Sequence, residues 1–151
     1  MGVEVTVEFV KAFGNAWNNH DINELMSYMD ENCIFQGSMG PEICGSYYEG
    51  FDNVREGYQK MLDTFPDGTW SDDTHFVAGD RGVSEWTFRG TAPDGTKIEI
   101  RGCDILTFRN GKISIKNSFR KNKSLVKLIT DYIKKVKFWL IRVFKIGYKN
   151  N

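Results

Sequence analysis

Two polar residues stand where an alternating run of side chains calls for hydrocarbon. Across residues 96–108, alternation puts Asp104 on the same side as Ile100, Leu106 and Phe108, and across residues 112–120 it puts Asn117 with Ile113, Ile115 and Phe119. A carboxyl group pushed into an apolar layer resists ionisation, which brings its proton exchange toward neutral pH and makes it a usable general acid or base. The chemistry that fits is proton transfer on a small carbonyl-bearing molecule, in an aldol-type cyclisation, an isomerisation or a dehydration. The ordinary alternative is that Asp104 sits at a bulge after Gly102, turns to water, or is tied to Arg101 or Arg120. Asn117 either orients Asp104, bonds a ligand, or is satisfied by backbone.

Around this candidate acid or base, the residues expected to bind a ligand are Trp17, Trp86, Phe88, Asn117, Leu106 and Tyr48. Aromatics form 14% of the chain, which suits a cavity wall and equally a solid core. His20 lies at a helix end, where capping or solvation explains it. His75 lies on a strand, out of phase with the face expected to point inward. Two histidines and three cysteines (Cys33, Cys44 and Cys103), with no C-x-x-C, make no convincing zinc site, so neither metal nor cofactor is expected.

The elements that must position these residues follow in order. Phe9, Val10, Phe13, Ala16 and Trp17 recur at helical spacing over about residues 3–19, and Asp21 can cap a shorter helix bearing Ile22, Leu25, Met26 and Met29. A brief strand at 33–36 enters a glycine-rich loop, and Val54, Tyr58, Met61, Leu62 and Phe65 mark a third helix stopped by Pro66, Asp67 and Gly68. Residues 70–119 read as four strands joined by the turns GDRG, PDG and NG. Helices first and a curved antiparallel sheet afterwards imply an α+β fold, with the helices laid over the sheet's apolar face.

At 151 residues the chain has the size of one domain. The segments WNNHDINELMSYMDENCIF, YYEGFDNVREGYQKML and EWTFRGTAPDGTKIEIRGCDILTFRNGKI together resemble the nuclear transport factor 2-like superfamily, nearest its SnoaL-like polyketide cyclase branch, over about residues 5–122. The resemblance implies a cone-shaped roll of mainly antiparallel sheet covered by N-terminal helices, and a homodimer formed through the sheet. It also implies an Asp acting as acid and base on the strand before the G-K-I turn, which is Asp104 in D-I-L-T-F-R-N-G-K-I. Ketosteroid isomerases of the same superfamily carry a base after the first strand, where this chain has Gln36 or Gly37, and a tyrosine near Phe13. An isomerase of that kind is therefore not expected, and the strand after G-K-I, S-I-K-N-S-F-R-K, departs from the cyclase pattern. Because the superfamily holds both enzymes and noncatalytic binding or assembly domains, a carrier or a dimeric assembly module is the competing expectation.

Residues 1–122 are read as this domain and residues 123–151 as a basic amphipathic helix or tail. From Lys123 onward seven Lys and one Arg face the single Asp131, a net charge of +7, so the remainder carries −7 and the whole chain +0. No overall field draws the protein to nucleic acid, and none is expected as a partner. Leu125, Leu128, Ile129, Tyr132, Ile133, Val136, Leu140, Val143 and Phe144 form the tail's apolar stripe. Packing on its own domain or on a second copy is the favoured fate of that stripe, ahead of contact with a membrane surface. No secretory leader is recognisable at the start, and a reducing, cytoplasmic setting is expected.

Overall fold

The computed structural model describes residues 4–122, 132–134 and 136–137. Within residues 4–122, three helices and six strands follow one another: α1 (Val7–Asn18), α2 (Ile22–Ser27), β1 (Met29–Gln36), β2 (Tyr47–Glu49), α3 (Phe51–Thr64), β3 (Thr69–Ala78), β4 (Arg81–Thr91), β5 (Lys97–Arg109) and β6 (Lys112–Arg120). Thr6 caps α1, its Oγ1 accepting from the Phe9 amide, and Asp21 caps α2 by accepting from the amides of Asn23 and Glu24. The chain divides into one compact unit, Met1–Lys121, and a second, Asn122–Asn151. Of the tail, residues 132–134 and 136–137 are helical, and the rest of the stripe expected there lies outside the described residues.

All six strands form one sheet in the order β2-β1-β6-β5-β4-β3, an α+β arrangement. Three of its features differ from the sequence expectation. The first strand begins at Met29, not Cys33, and it runs parallel to β6, one parallel pair in a sheet that is otherwise antiparallel, as expected. Within the glycine-rich loop, Tyr47–Glu49 forms an edge strand antiparallel to β1.

The core lies between the helices and one face of this sheet. Val10, Phe13, Ala16 and Trp17 of α1, Leu25 and Met26 of α2, and Val54, Tyr58 and Leu62 of α3 pack on Met29, Cys33, Leu106, Phe108 and Ile113. Burying an aliphatic or aromatic side chain of this kind contributes about 1.5–3 kcal/mol each. The end of α1 is pinned to the sheet edge by Asn18. Its side-chain amide donates to the Trp70 carbonyl and its Oδ1 accepts from the Trp70 amide, both at 2.8 Å, much as a neighbouring strand would. That clamp sets Trp17 against Trp70, ring centroids 5.1 Å apart.

Two bulges decide which side chains face inward. On β6, Thr107 pairs with Ile115 but Phe108 pairs with Ile113, so Ser114 is an extra residue. Beyond it the alternation changes phase: Lys116 and Ser118 turn inward with the buried face, while Asn117 and the half-exposed Phe119 turn outward. On β3, Ser71 pairs with Thr87 and Thr74 with Glu85, an extra residue accommodated by Asp72 at φ +53. After this second bulge His75 lies inside.

Candidate active site

The cavity between α1, α3 and the sheet's inner face has a volume of about 330 Å³. Its walls are largely aromatic. Trp70 and Phe88 meet at 5.0 Å, Phe65 and Phe88 at 5.1 Å, and Phe35 stacks on Tyr48 at 5.7 Å with the rings 11° from parallel. Tyr58 supports the wall from behind, its ring 4.7 Å from Trp17 and 5.0 Å from Phe35. Its hydroxyl donates to the Met29 sulfur at 3.4 Å, and burial pushes the phenol well above its ordinary pKa, so it remains neutral.

The floor of the cavity is polar. His75, Ser84, Asp104 and Ser118 are direct cross-strand partners in succession, one from each of β3, β4, β5 and β6. Facing residues on adjacent antiparallel strands lie close enough for their side chains to bond, so the register itself builds a row of polar groups. Ser118 Oγ donates to Asp104 Oδ1 at 2.6 Å, and Lys116 Nζ donates to the same oxygen at 2.9 Å and to Ser118 Oγ at 2.8 Å. Trp86 Nε1 donates to Oδ2 at 3.1 Å. Asp104 is 7% exposed and Lys116 5%, which makes this a buried ion pair with its hydrogen bonds largely made.

Lys116 Nζ also lies 5.0 Å from the Phe35 ring centroid and 5.5 Å from that of Trp17, within cation–π range of both. At the other end of the row, His75 Nδ1 is 3.1 Å from Ser84 Oγ and its Nε2 is 2.7 Å from Asp73 Oδ2. Arg120 reaches the same cavity, where desolvation lowers its pKa, and its Nε has no partner among the described residues.

The sequence expectations divide clearly at this site. Asp104, Trp17, Trp86, Phe88 and Tyr48 line the cavity. Leu106 does not: it is fully buried in the core below, opposite Lys116. Asn117 is out of phase because of the Ser114 bulge and pairs with Ile105 on the other face. Nor does Asp104 stand among hydrocarbon alone, since three donors converge on it. The structure adds Lys116, Ser118, His75, Ser84 and Asp73: Lys116, Ser118, His75 and Asp73 lie in or after a bulge that resets the strand's phase, whereas Ser84 is in phase with Trp86 and Phe88 on an uninterrupted strand. Two acidic residues inside a run of strand formers, S-D-D-T, were the available sign of the β3 bulge.

His20 closes the end of α1 at φ +54, one ring nitrogen 2.7 Å from the Gly68 carbonyl. Among the described residues no group of three or more His, Cys, Asp or Glu is placed to hold a metal ion, and no helix is long and apolar enough to cross a membrane.

A SnoaL-like domain model matches residues 10–115 of the chain. No curated protein matches it. Among solved structures, a candidate polyketide cyclase from Xanthomonas campestris pv. campestris is 19% identical with a TM-score of 0.66, covering 82% of this chain and 93% of that one. TerC, co-crystallized with polyporic acid, is 19% identical with a TM-score of 0.64, over 76% of this chain and 90% of its own. A hypothetical protein of ketosteroid isomerase-like fold from Catenulispora acidiphila, in complex with trimethylamine, is 17% identical with a TM-score of 0.66, over 80% and 88%. At these identities the structural likeness shows the fold alone.

Proposed function

Because the chain belongs to the SnoaL-like family of the nuclear transport factor 2-like superfamily, we propose that its cavity binds a small, mostly apolar molecule bearing a carbonyl or enol oxygen and moves a proton on it. The observation that carries this reading is the registered row His75, Ser84, Asp104 and Ser118 along the floor of an aromatic cavity of about 330 Å³. That volume lies at the small end of the range for ligand pockets, about 300–1,000 Å³. Aromatic walls supply contact area and exclude water, and the polar row fixes orientation.

Asp104 is the group that takes or returns the proton. A carboxylate offers about four acceptor positions, and Lys116, Ser118 and Trp86 occupy three, leaving one on Oδ2 for a ligand. Lys116 keeps a positive charge within the floor, where negative charge developing on an enolate oxygen would be stabilised. The Asp73–His75 pair, oriented through Ser84, is a second proton-handling group on the same floor. An acid and a base on one floor suit a cyclisation, an isomerisation or a dehydration.

The test is exchange of an α-proton of small enolisable ketones into D₂O, followed by NMR. The wild-type chain should accelerate it and Asp104→Asn should reduce the acceleration by about 10²- to 10⁴-fold. Absence of exchange across a panel of such ketones sinks the enzymatic reading.

One observation favours a second reading. Both Asp104 oxygens are already engaged, which suits a fixed anchor in a noncatalytic carrier. A ligand that the wild-type chain binds without changing it, and that Asp104→Asn binds more weakly, would establish that role. The homodimer expected through the sheet belongs with either reading, and light scattering on the purified chain tests it.

A further inference from the structure

Lys116 has a feature that proton transfer by Asp104 does not require: its amine is buried, faces the cavity, and is encased by groups that tolerate a cation. We propose that Lys116 Nζ captures small apolar aldehydes in this cavity as a reversible iminium. The inference rests on the reading of the cavity as a pocket for carbonyl-bearing molecules and adds to it a covalent mode of binding.

The geometry supplies every proton the reaction needs. Asp104 Oδ1, 2.9 Å from Nζ, accepts a proton from the ammonium and leaves a neutral amine beside a carboxylic acid. The nitrogen lone pair then adds to the carbonyl carbon, the C=O π pair moves to oxygen, and one N–H proton passes to that oxygen, giving a neutral carbinolamine. Ser118 Oγ, 2.8 Å from Nζ and 2.6 Å from Oδ1, is placed to relay it. Asp104 returns its proton to the hydroxyl, which leaves as water while the nitrogen lone pair forms C=N. The sum is ammonium plus aldehyde giving iminium plus water, and Asp104 ends as the carboxylate with which it began.

Charge is what makes the step suit this site. A positive nitrogen paired with Asp104 and lying over Phe35 and Trp17 is present before and after the reaction, so no new charge is buried by it. Lysine is the cation that can lose its proton and become a nucleophile, which arginine at the same position would not do. The aromatic walls select an apolar aldehyde of about benzaldehyde's dimensions over a hydrated one.

The experiment is reductive trapping on the full chain. Benzaldehyde and sodium cyanoborohydride are added near neutral pH, and peptide mapping by mass spectrometry locates the benzylated lysines. Lys116 should be modified at least about tenfold faster than the exposed Lys97, because the aldehyde is held next to the amine. Asp104→Asn, which keeps the lysine and removes its proton acceptor, should slow the trapping of Lys116 and leave Lys97 unchanged. An unmodified Lys116, or one trapped no faster than Lys97, overturns the proposal. So does an undiminished rate in a folded Asp104→Asn variant. Toluene has the same shape without a carbonyl: if it quenches tryptophan fluorescence while Lys116 stays unmodified, the imine falls and the pocket stands. If toluene also fails to bind, both fall.

Discussion

Trp86 reaches Asp104 diagonally. Its direct partner on β5 is Gly102, two residues short of the carboxylate, yet its Nε1 donates to Asp104 Oδ2 at 3.1 Å. The indole lies across the space that a side chain on Gly102 would fill: a Cβ there would come within 2.4 Å of the Trp86 ring and 2.5 Å of the Phe119 carbonyl. A missing side chain on one strand thus orients a hydrogen-bond donor from the next toward a third residue.

Gly102→Ala should therefore displace Trp86, remove the donor from Oδ2 and crowd the backbone of β6. We expect a loss of about 1–3 kcal/mol in urea unfolding, with a shifted tryptophan emission in the folded state. Gly14→Ala is the matched control. It lies in the middle of α1, where an added Cβ meets nothing within 4 Å, so replacement should raise stability by about 0.5–1 kcal/mol. Equal effects of the two substitutions would refute the packing argument.

The Lys116–Asp104 pair makes a different demand. Lys116→Met removes one partner and leaves a buried carboxylate facing aromatic rings, which should cost about 3–5 kcal/mol. Replacing both, as Lys116→Met with Asp104→Leu, removes the stranded charge and should recover much of that loss. A double-mutant cycle by denaturant unfolding measures the coupling, and a Lys116→Met variant as stable as wild type would contradict the burial of the pair.

Stability against acid should depend in part on Asp30. Arg109 binds its carboxylate in two places, Nε at 3.2 Å and Nη2 at 2.5 Å, and holds its pKa below the ordinary value. A depressed folded pKa gives stability that is fully present above the unfolded pKa, near about 4, and is lost as pH falls through the folded value. The gap in urea midpoint between wild type and Asp30→Asn should thus be constant from neutral pH down to about pH 5 and close below about pH 4. A gap that persisted unchanged at the acid end would remove Arg109 as its cause.

How much of this was legible in the sequence depends on whether a residue's position is set by local pattern or by pairing. Trp17 follows from helical spacing, and Asp104, Trp86 and Phe88 from alternation in strands that pair without interruption between them. Lys116, Ser118 and His75 do not follow. A bulge inserts one residue and reverses the face of everything after it, and Ile113 and Ile115 carry the alternation straight through the Ser114 bulge as though nothing intervened. The parallel pairing of β1 with β6 joins segments about eighty residues apart, which local pattern does not encode. Tyr48 is among the residues expected to bind a ligand, although the short strand that holds it, Tyr47–Glu49, is not expected from the sequence.

The phase reversal at Ser114 can be checked with two substitutions one residue apart. Asn117 faces outward opposite Ile105, so Asn117→Ala should leave the affinity for a cavity ligand such as toluene unchanged and alter stability by less than about 0.5 kcal/mol. Ser118 faces inward, and its hydroxyl both donates to Asp104 Oδ1 and accepts from Lys116 Nζ. Ser118→Ala deprives two buried charged groups of a partner, which should cost about 1–3 kcal/mol and weaken trapping at Lys116. Were the alternation unbroken, as Ile113 and Ile115 suggest, the two outcomes would be exchanged: Asn117→Ala would be the costly change and Ser118→Ala the silent one. Urea unfolding of the two variants side by side, with toluene quenching measured on each, decides which face Ser118 occupies.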